Sequence, residues 1–152
     1  FMEGYGLTEI GQCTWMRPGE VFRVGSCGKE APGYEIKIGN PETDEEVPRG
    51  EIGEILVRPR TPNLMLHYYH KMPQKTVDDF RNFWFHTGDA GRMDKDGYIY
   101  FVDRVKDYLR CKGENISSFE VEKTVGSHPD IEESGAIGVK AENGRYAEDE
   151  LM

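Results

Sequence analysis

Three short stretches hold the residues best suited to chemistry. In GYGLTE, Gly4 to Glu9, glycines such as Gly6 let backbone approach a ligand closely. There Tyr5 offers a flat face to a purine, Thr8 a hydroxyl to a phosphate, and Glu9 a hard oxygen to Mg2+. In HTGD, His86 to Asp89, a carboxylate held at a glycine turn can accept both hydroxyls of a ribose. In DRVKDYLRCKGENIS, Asp103 to Ser117, Arg104 supplies a rigid fork suited to phosphate or ribose oxygens, and Lys106 follows two residues on. KGENIS then exposes backbone N–H groups around Gly113 ahead of a helix N-terminus, a setting that favours anions. Each stretch alone also fits a plainer reading: a glycine-rich turn, an Asp that shapes a turn, a solvated charged strand. For Arg110 and Lys112 the plainer reading is preferred.

These residues need a scaffold. YEIKI and EIGEILVR read as strands, with the turn-rich loop NPETDEEVPRGE between them. NLMLHYYH reads as a short helix or helical turn, and PQKTVDDF as a second short helix with Pro73 near its start. Phe83–Arg92 and Tyr98–Asp103 read as the arms of a hairpin closed by DKDG, with the aromatic residues as its core and cross-strand pairs. YLRCKG reads as a strand ending at Gly113. A helix near Ser117 follows, with Ser117 and Glu120 spaced as a capping box, and then a strand over IEESGAIGV. A boundary is expected near Asp103–Lys106, where the hairpin-rich half gives way to strand–helix–strand. Both ends read as cuts within a longer protein.

Composition narrows the function classes. The 152 residues carry 19 Lys and Arg against 28 Asp and Glu, a net charge of -9, which argues against a nucleic-acid binder. No apolar run is long enough to span a bilayer, and mean hydropathy is -0.68. Cys13, Cys27 and Cys111 are widely spaced without a zinc pattern, and are expected as reduced thiols of a cytoplasmic protein. His67 and His70 lack a third ligand, and the loop before Gly97 does not fit a calcium-binding hand.

YGLTE, TGD and DRVKD…KGENIS…EVE, in this order and spacing, resemble the adenylate-forming superfamily, which includes acyl-CoA synthetases, amino-acid adenylation domains and luciferases. The likeness runs from Gly4 to about Met152. The texture YFVDR…KGENIS…EVE…HPDI looks most like the acyl-CoA ligase branch, near carnitine/crotonobetaine-CoA ligases.

The resemblance implies an α+β fold: residues 1–104 as the distorted antiparallel β-barrel-like last part of a large domain, and 105–152 as the β-α-β start of a small mobile one. It implies ATP/AMP, Mg2+ and coenzyme A as cofactors and a small carboxylic acid as substrate. Tyr5 and Gly6 would lie near adenine, Thr8 near phosphate, Glu9 on Mg2+, Asp89 on the ribose hydroxyls and Arg104 on the ribose or phosphate side. Lys106 matches the hinge position, and Gly113, Glu114 and Asn115 the loop that faces the pantetheine arm. The family's phosphate loop and catalytic lysine have no match here, Lys140 included, so this piece alone is expected not to adenylate efficiently. Two rivals keep the fold: an amino-acid adenylation domain feeding a carrier protein, and a non-catalytic interaction piece.

Overall fold

The computed structural model describes residues 3–105, 108–111, 114–140 and 149–151. It divides into two compact units, Phe1–Val102 and Asp103–Met152. Among the described residues it is mixed and sheet-rich, with two helices, neither long nor apolar enough to cross a membrane.

The first unit opens with two small antiparallel pairs: β1 (Gly6–Leu7) with β2 (Gly11–Gln12), and β3 (Thr14–Trp15) with β4 (Lys29–Glu30). Its main sheet contains β5 (Tyr34–Gly39) and β6 (Ile52–Pro59). Helix α1 (Pro73–Asp79) follows, then β7 (Phe80–Arg81), β8 (Trp84–Met93) and β9 (Ile99–Arg104). The strand order is β5-β6-β8-β7, with β9 also paired to β8.

Alternation explains the packing. Tyr34, Ile36 and Ile38 of β5 and Ile55 and Val57 of β6 send their side chains into one core with Ile10, Phe85 and Ile99. The opposite face of β6 carries Glu54, Leu56 and Arg58. There the Trp84 ring is flanked by the cations of Lys37 and Arg58, 4.6 and 4.4 Å from its centroid. Arg58 also makes a two-pronged contact with Glu35, at 2.9 and 2.8 Å.

The expected hairpin forms as β8 and β9. Asp94 Oδ1 accepts the N–H groups of Asp96 and Tyr98, both at 2.9 Å, and so shapes the turn. Of its aromatic residues, Trp84, Phe85 and Tyr98 are buried, whereas Phe83 is 93% exposed just ahead of β8. α1 forms where expected, with Pro73 at its start.

NLMLHYYH does not form a helix; residues 61–71 are turns and bends. Its backbone is claimed by distant partners: Leu66 N–H donates to Glu9 O at 2.7 Å, and Tyr34 Oη donates to Leu64 O at 3.1 Å. Those contacts replace the local bonds a helix needs.

The second unit contains β10 (Tyr108–Cys111) and β11 (Glu114–Ser117), an antiparallel pair, then α2 (Ser118–Val125). After it, β12 (Gly138–Lys140) pairs antiparallel with β13 (Asp149–Leu151). A strand thus occupies Glu114–Ser117, ahead of the helix, and the strand expected over IEESGAIGV begins only at Gly138. Glu122 explains the delay, since its carboxylate accepts the Ala136 N–H at 3.0 Å and its carbonyl accepts Ser134 Oγ–H at 3.2 Å. The chain is thereby tied to α2 and not to a ladder. The Ser117–Glu120 capping box lies outside the described side chains.

Candidate nucleotide site

Tyr5 is placed by the small sheets. Its N–H donates to Thr14 Oγ1 at 2.8 Å, and its carbonyl accepts from Cys13 and Thr14 N–H at 3.0 and 3.1 Å. The phenol then donates to Asp89 Oδ2 at 2.6 Å, joining motifs 84 residues apart. Burial, and next the bond to Asp89, push the Tyr5 phenol far above its usual range, so the proton stays on tyrosine. Its ring stacks on Phe101 with centroids 6.4 Å apart.

Asp89 is aimed by an irregularity in the ladder. On β6 and β8, Glu54 faces Ala90 and Leu56 faces His86, so Thr87, Gly88 and Asp89 stand opposite Ile55 alone. This bulge re-aims the side chains it contains. Gly88 has φ 70°, a left-handed value that glycine adopts freely. Thr87 Oγ1 donates to Ile55 O at 2.7 Å and accepts the Asp89 N–H at 3.1 Å.

Behind the bulge lies a buried charged cluster. Glu54 Oε1 accepts the Gly88 N–H at 2.9 Å, and Glu54 Oε2 lies 2.9 Å from His86 Nδ1. On the other side of the imidazole, His86 Nε2 is 3.6 Å from Asp44 Oδ2. Asp44 also accepts from Asn82 Nδ2 at 2.6 Å and from Arg81 at 3.3 Å. Burial alone would raise the Asp44 carboxyl, but the bonds from Asn82 and Arg81 and the nearby His86 outweigh it and hold it below the usual range.

Thr8 and Glu9 sit at the tip of the first hairpin. Ile10 N–H closes that turn onto Leu7 O at 3.2 Å, and Gly11, at φ 60°, returns the chain. Thr8 is exposed and Glu9 half-buried. Glu9 Oε1 accepts from the Tyr69 phenol at 3.1 Å. Burial, then hydrogen bonds to Asp79 and Glu9, keep Tyr69 protonated. Lys75 pairs with Asp79 at 2.6 Å and lies over the Tyr69 ring. Among the described residues no cluster of three metal-ligating side chains occurs. One anchored carboxylate suits Mg2+ nonetheless, because that ion is commonly held by one or two carboxylates plus substrate phosphates.

The structure thus brings Tyr5 and Asp89 together, with Gly6 next along β1. Arg104 ends β9, exposed, in the second unit, where its N–H donates to Asp103 Oδ1 at 2.8 Å. Lys106 and Gly113 lie outside the described residues. Glu114 and Asn115 are described only as backbone of β11. Glu54, Asp44, Thr87 and Tyr69 were not singled out from sequence. The signal for Glu54 was a lone acid within an apolar strand; nothing in the spacing marks Tyr69. Burial pushes the Cys13 thiol up to about 12 and raises that of Cys27, so neither is an activated nucleophile.

Residues 1–69 match the family described as AMP-binding enzyme. The chain is 37% identical over 139 residues to probable 4-coumarate–CoA ligase 2 of Dictyostelium discoideum, covering 90% of this chain and 24% of that protein. It is 38% identical over 139 residues to a long-chain-fatty-acid–CoA ligase of Escherichia coli, covering 91% and 24%. Among solved structures, ATP-bound MatB from Rhodopseudomonas palustris matches with a TM-score of 0.79 at 34% identity, over 99% of this chain and 29% of that one. The chain therefore spans about a quarter of the length of the curated relatives it matches.

Proposed function

This chain belongs to the adenylate-forming superfamily, in its acyl-CoA synthetase branch, and from that premise we propose that the whole protein is an ATP-dependent CoA ligase. The observation that carries the reading is the Tyr5–Asp89 hydrogen bond, which puts two separated motifs at one place. The relatives' names range from 4-coumarate to long-chain fatty acid, so the substrate is proposed as a carboxylic acid.

In the first step a carboxylate oxygen of the acid attacks the α-phosphorus of ATP, the bond to the bridging oxygen breaks, and pyrophosphate leaves. In the second, the thiol of coenzyme A gives up its proton and attacks the acyl carbon, and AMP leaves. Both steps depend on positioning and on stabilising phosphoryl charge. Asp89 would hold the ribose hydroxyls, Tyr5 and Gly6 would border the adenine, and Thr8 would reach a phosphate oxygen. Glu9 would hold Mg2+, whose contribution is neutralisation of phosphate charge. Arg104 would contact the ribose or phosphate side of the nucleotide. Residues 1–104 are read as the barrel-like end of the large domain and 105–152 as the start of the small one, with Lys106 as hinge. Gly113, Glu114 and Asn115 would face the pantetheine arm after rotation.

The test is pyrophosphate release and thioester formation by the full-length protein with ATP, coenzyme A and a panel of carboxylic acids. Asp89→Ala is expected to weaken ATP by about 10- to 100-fold, the value of hydrogen bonds to a charged group. Transfer to a carrier protein but not to coenzyme A would favour the adenylation-domain reading. No release with any acid, together with no AMP binding by calorimetry, would overturn the enzyme reading.

A further inference from the structure

Glu54 is an unexpected residue for its place. It lies in β6 between two neighbouring strands and is 5% exposed. A carboxylate there is costly unless its oxygens are satisfied, and an apolar side chain would fill the same space without that cost. Both oxygens are committed to the same short segment: one takes the Gly88 N–H, the other faces His86 Nδ1, each at 2.9 Å. These attachments straddle Thr87 and immediately precede Asp89. Gly88, left without them, has the widest backbone freedom of any residue. The second nitrogen of His86 is faced by Asp44, itself fixed by Asn82 and Arg81.

Alternation puts Glu54 and Leu56 on the face of β6 opposite Ile55 and Val57, while Asp89 meets Tyr5 of the core cluster. The carboxylate is therefore aimed from behind the sheet. We propose that Glu54 is a positioning residue of the nucleotide site, holding the Thr87–Gly88–Asp89 bulge in the conformation that turns Asp89 toward Tyr5, with His86 and Asp44 as its buttress. The proposal rests on the reading of Asp89 as the ribose-binding carboxylate. Gripping two adjacent hydroxyls demands placement within about 0.5 Å, and a supporting shell supplies it.

The experiment compares ATP with 2′-deoxyATP in the full-length protein, by calorimetric affinity and by KM and kcat, alongside thermal melts. Wild type is expected to prefer ATP by about 10- to 100-fold, the value of a charged hydrogen bond, and Asp89→Ala to abolish the preference. Glu54→Ala is expected to lose most of it, with KM for ATP raised and kcat at saturation little changed. Glu54→Gln, whose amide oxygen still accepts the Gly88 N–H, is expected to keep most of it. A Glu54→Ala protein that melts earlier yet keeps the full preference overturns the proposal and leaves Glu54 merely structural. If Glu54→Ala does not fold, Glu54→Asp decides: one methylene shorter, it cannot span both contacts, and a wild-type preference there overturns the proposal. A preference retained in Asp89→Ala overturns the reading of Asp89 itself, and the proposal with it.

Discussion

The Thr87 hydroxyl serves two backbone groups at once, donating to Ile55 O and accepting from Asp89 N–H. Valine has the same shape and neither function. Thr87→Val is expected to destabilise the protein by about 2–3 kcal/mol, because buried backbone groups lose their partner. Thr87→Ser, which keeps the hydroxyl, is expected to cost about 1 kcal/mol, the value of one buried methyl. Urea denaturation of both variants checks the order; equal losses would mean that the methyl and not the hydroxyl matters. The role of Thr87 was not legible in the sequence. TGD was readable as a glycine turn carrying a carboxylate, but the acceptor for the hydroxyl is a carbonyl 32 residues away. Glu54 was hidden for the same reason, since a single acid in an apolar strand says nothing about which backbone it will meet.

The strands themselves were readable, because YEIKI alternates, EIGEILVR follows it across a turn-rich loop, and the DKDG turn announces its hairpin. The segment 61–71 was not, because its apolar spacing suits a helix while its hydrogen bonds go to Glu9 and Tyr34. The β8–β9 hairpin also carries a pH signature. Burial alone would raise the Asp94 carboxyl, but the N–H groups of Tyr98 and Asp96, Arg23 and the Tyr100 hydroxyl outweigh it, and its folded-state value lies below the usual one. A carboxyl lowered in this way contributes stability above its unfolded value of about 4, and that contribution is lost as pH falls through the folded value. Asp94→Asn is therefore expected to be less stable than wild type at pH 7, with the gap closing below about pH 4. Thermal melts across pH 2.5–8 check it (roughly spanning the usual carboxylate range), and a gap independent of pH would assign the loss to shape and not charge.

The two compact units meet in sequence at Val102 and Asp103. Within the second, Ser118 Oγ donates to Asp103 Oδ2 at 3.1 Å, tying the first residue of α2 back to the start of the unit. We place the proposed swing at Lys106, three residues past Asp103, and that assignment is testable. Proline at 106 fixes one backbone dihedral and restricts the residue before it. If the proposed function holds, Lys106→Pro in the full-length protein is expected to slow thioester formation more than adenylation, because a restricted hinge impedes the conformational step between them. Separate assays of pyrophosphate release and thioester yield check it, and equal losses in both half-reactions would remove Lys106 as the pivot.

The ladder between β6 and β8 sets three residues against one, an even surplus. Because side chains in a strand alternate with a period of two, an even surplus leaves inward and outward residues unchanged on either side. Excising Thr87 and Gly88 as a pair would keep His86 and Ala90 on their present faces, whereas losing Gly88 alone would turn one arm of β8 inside out. Loop grafting at this position should therefore count in twos.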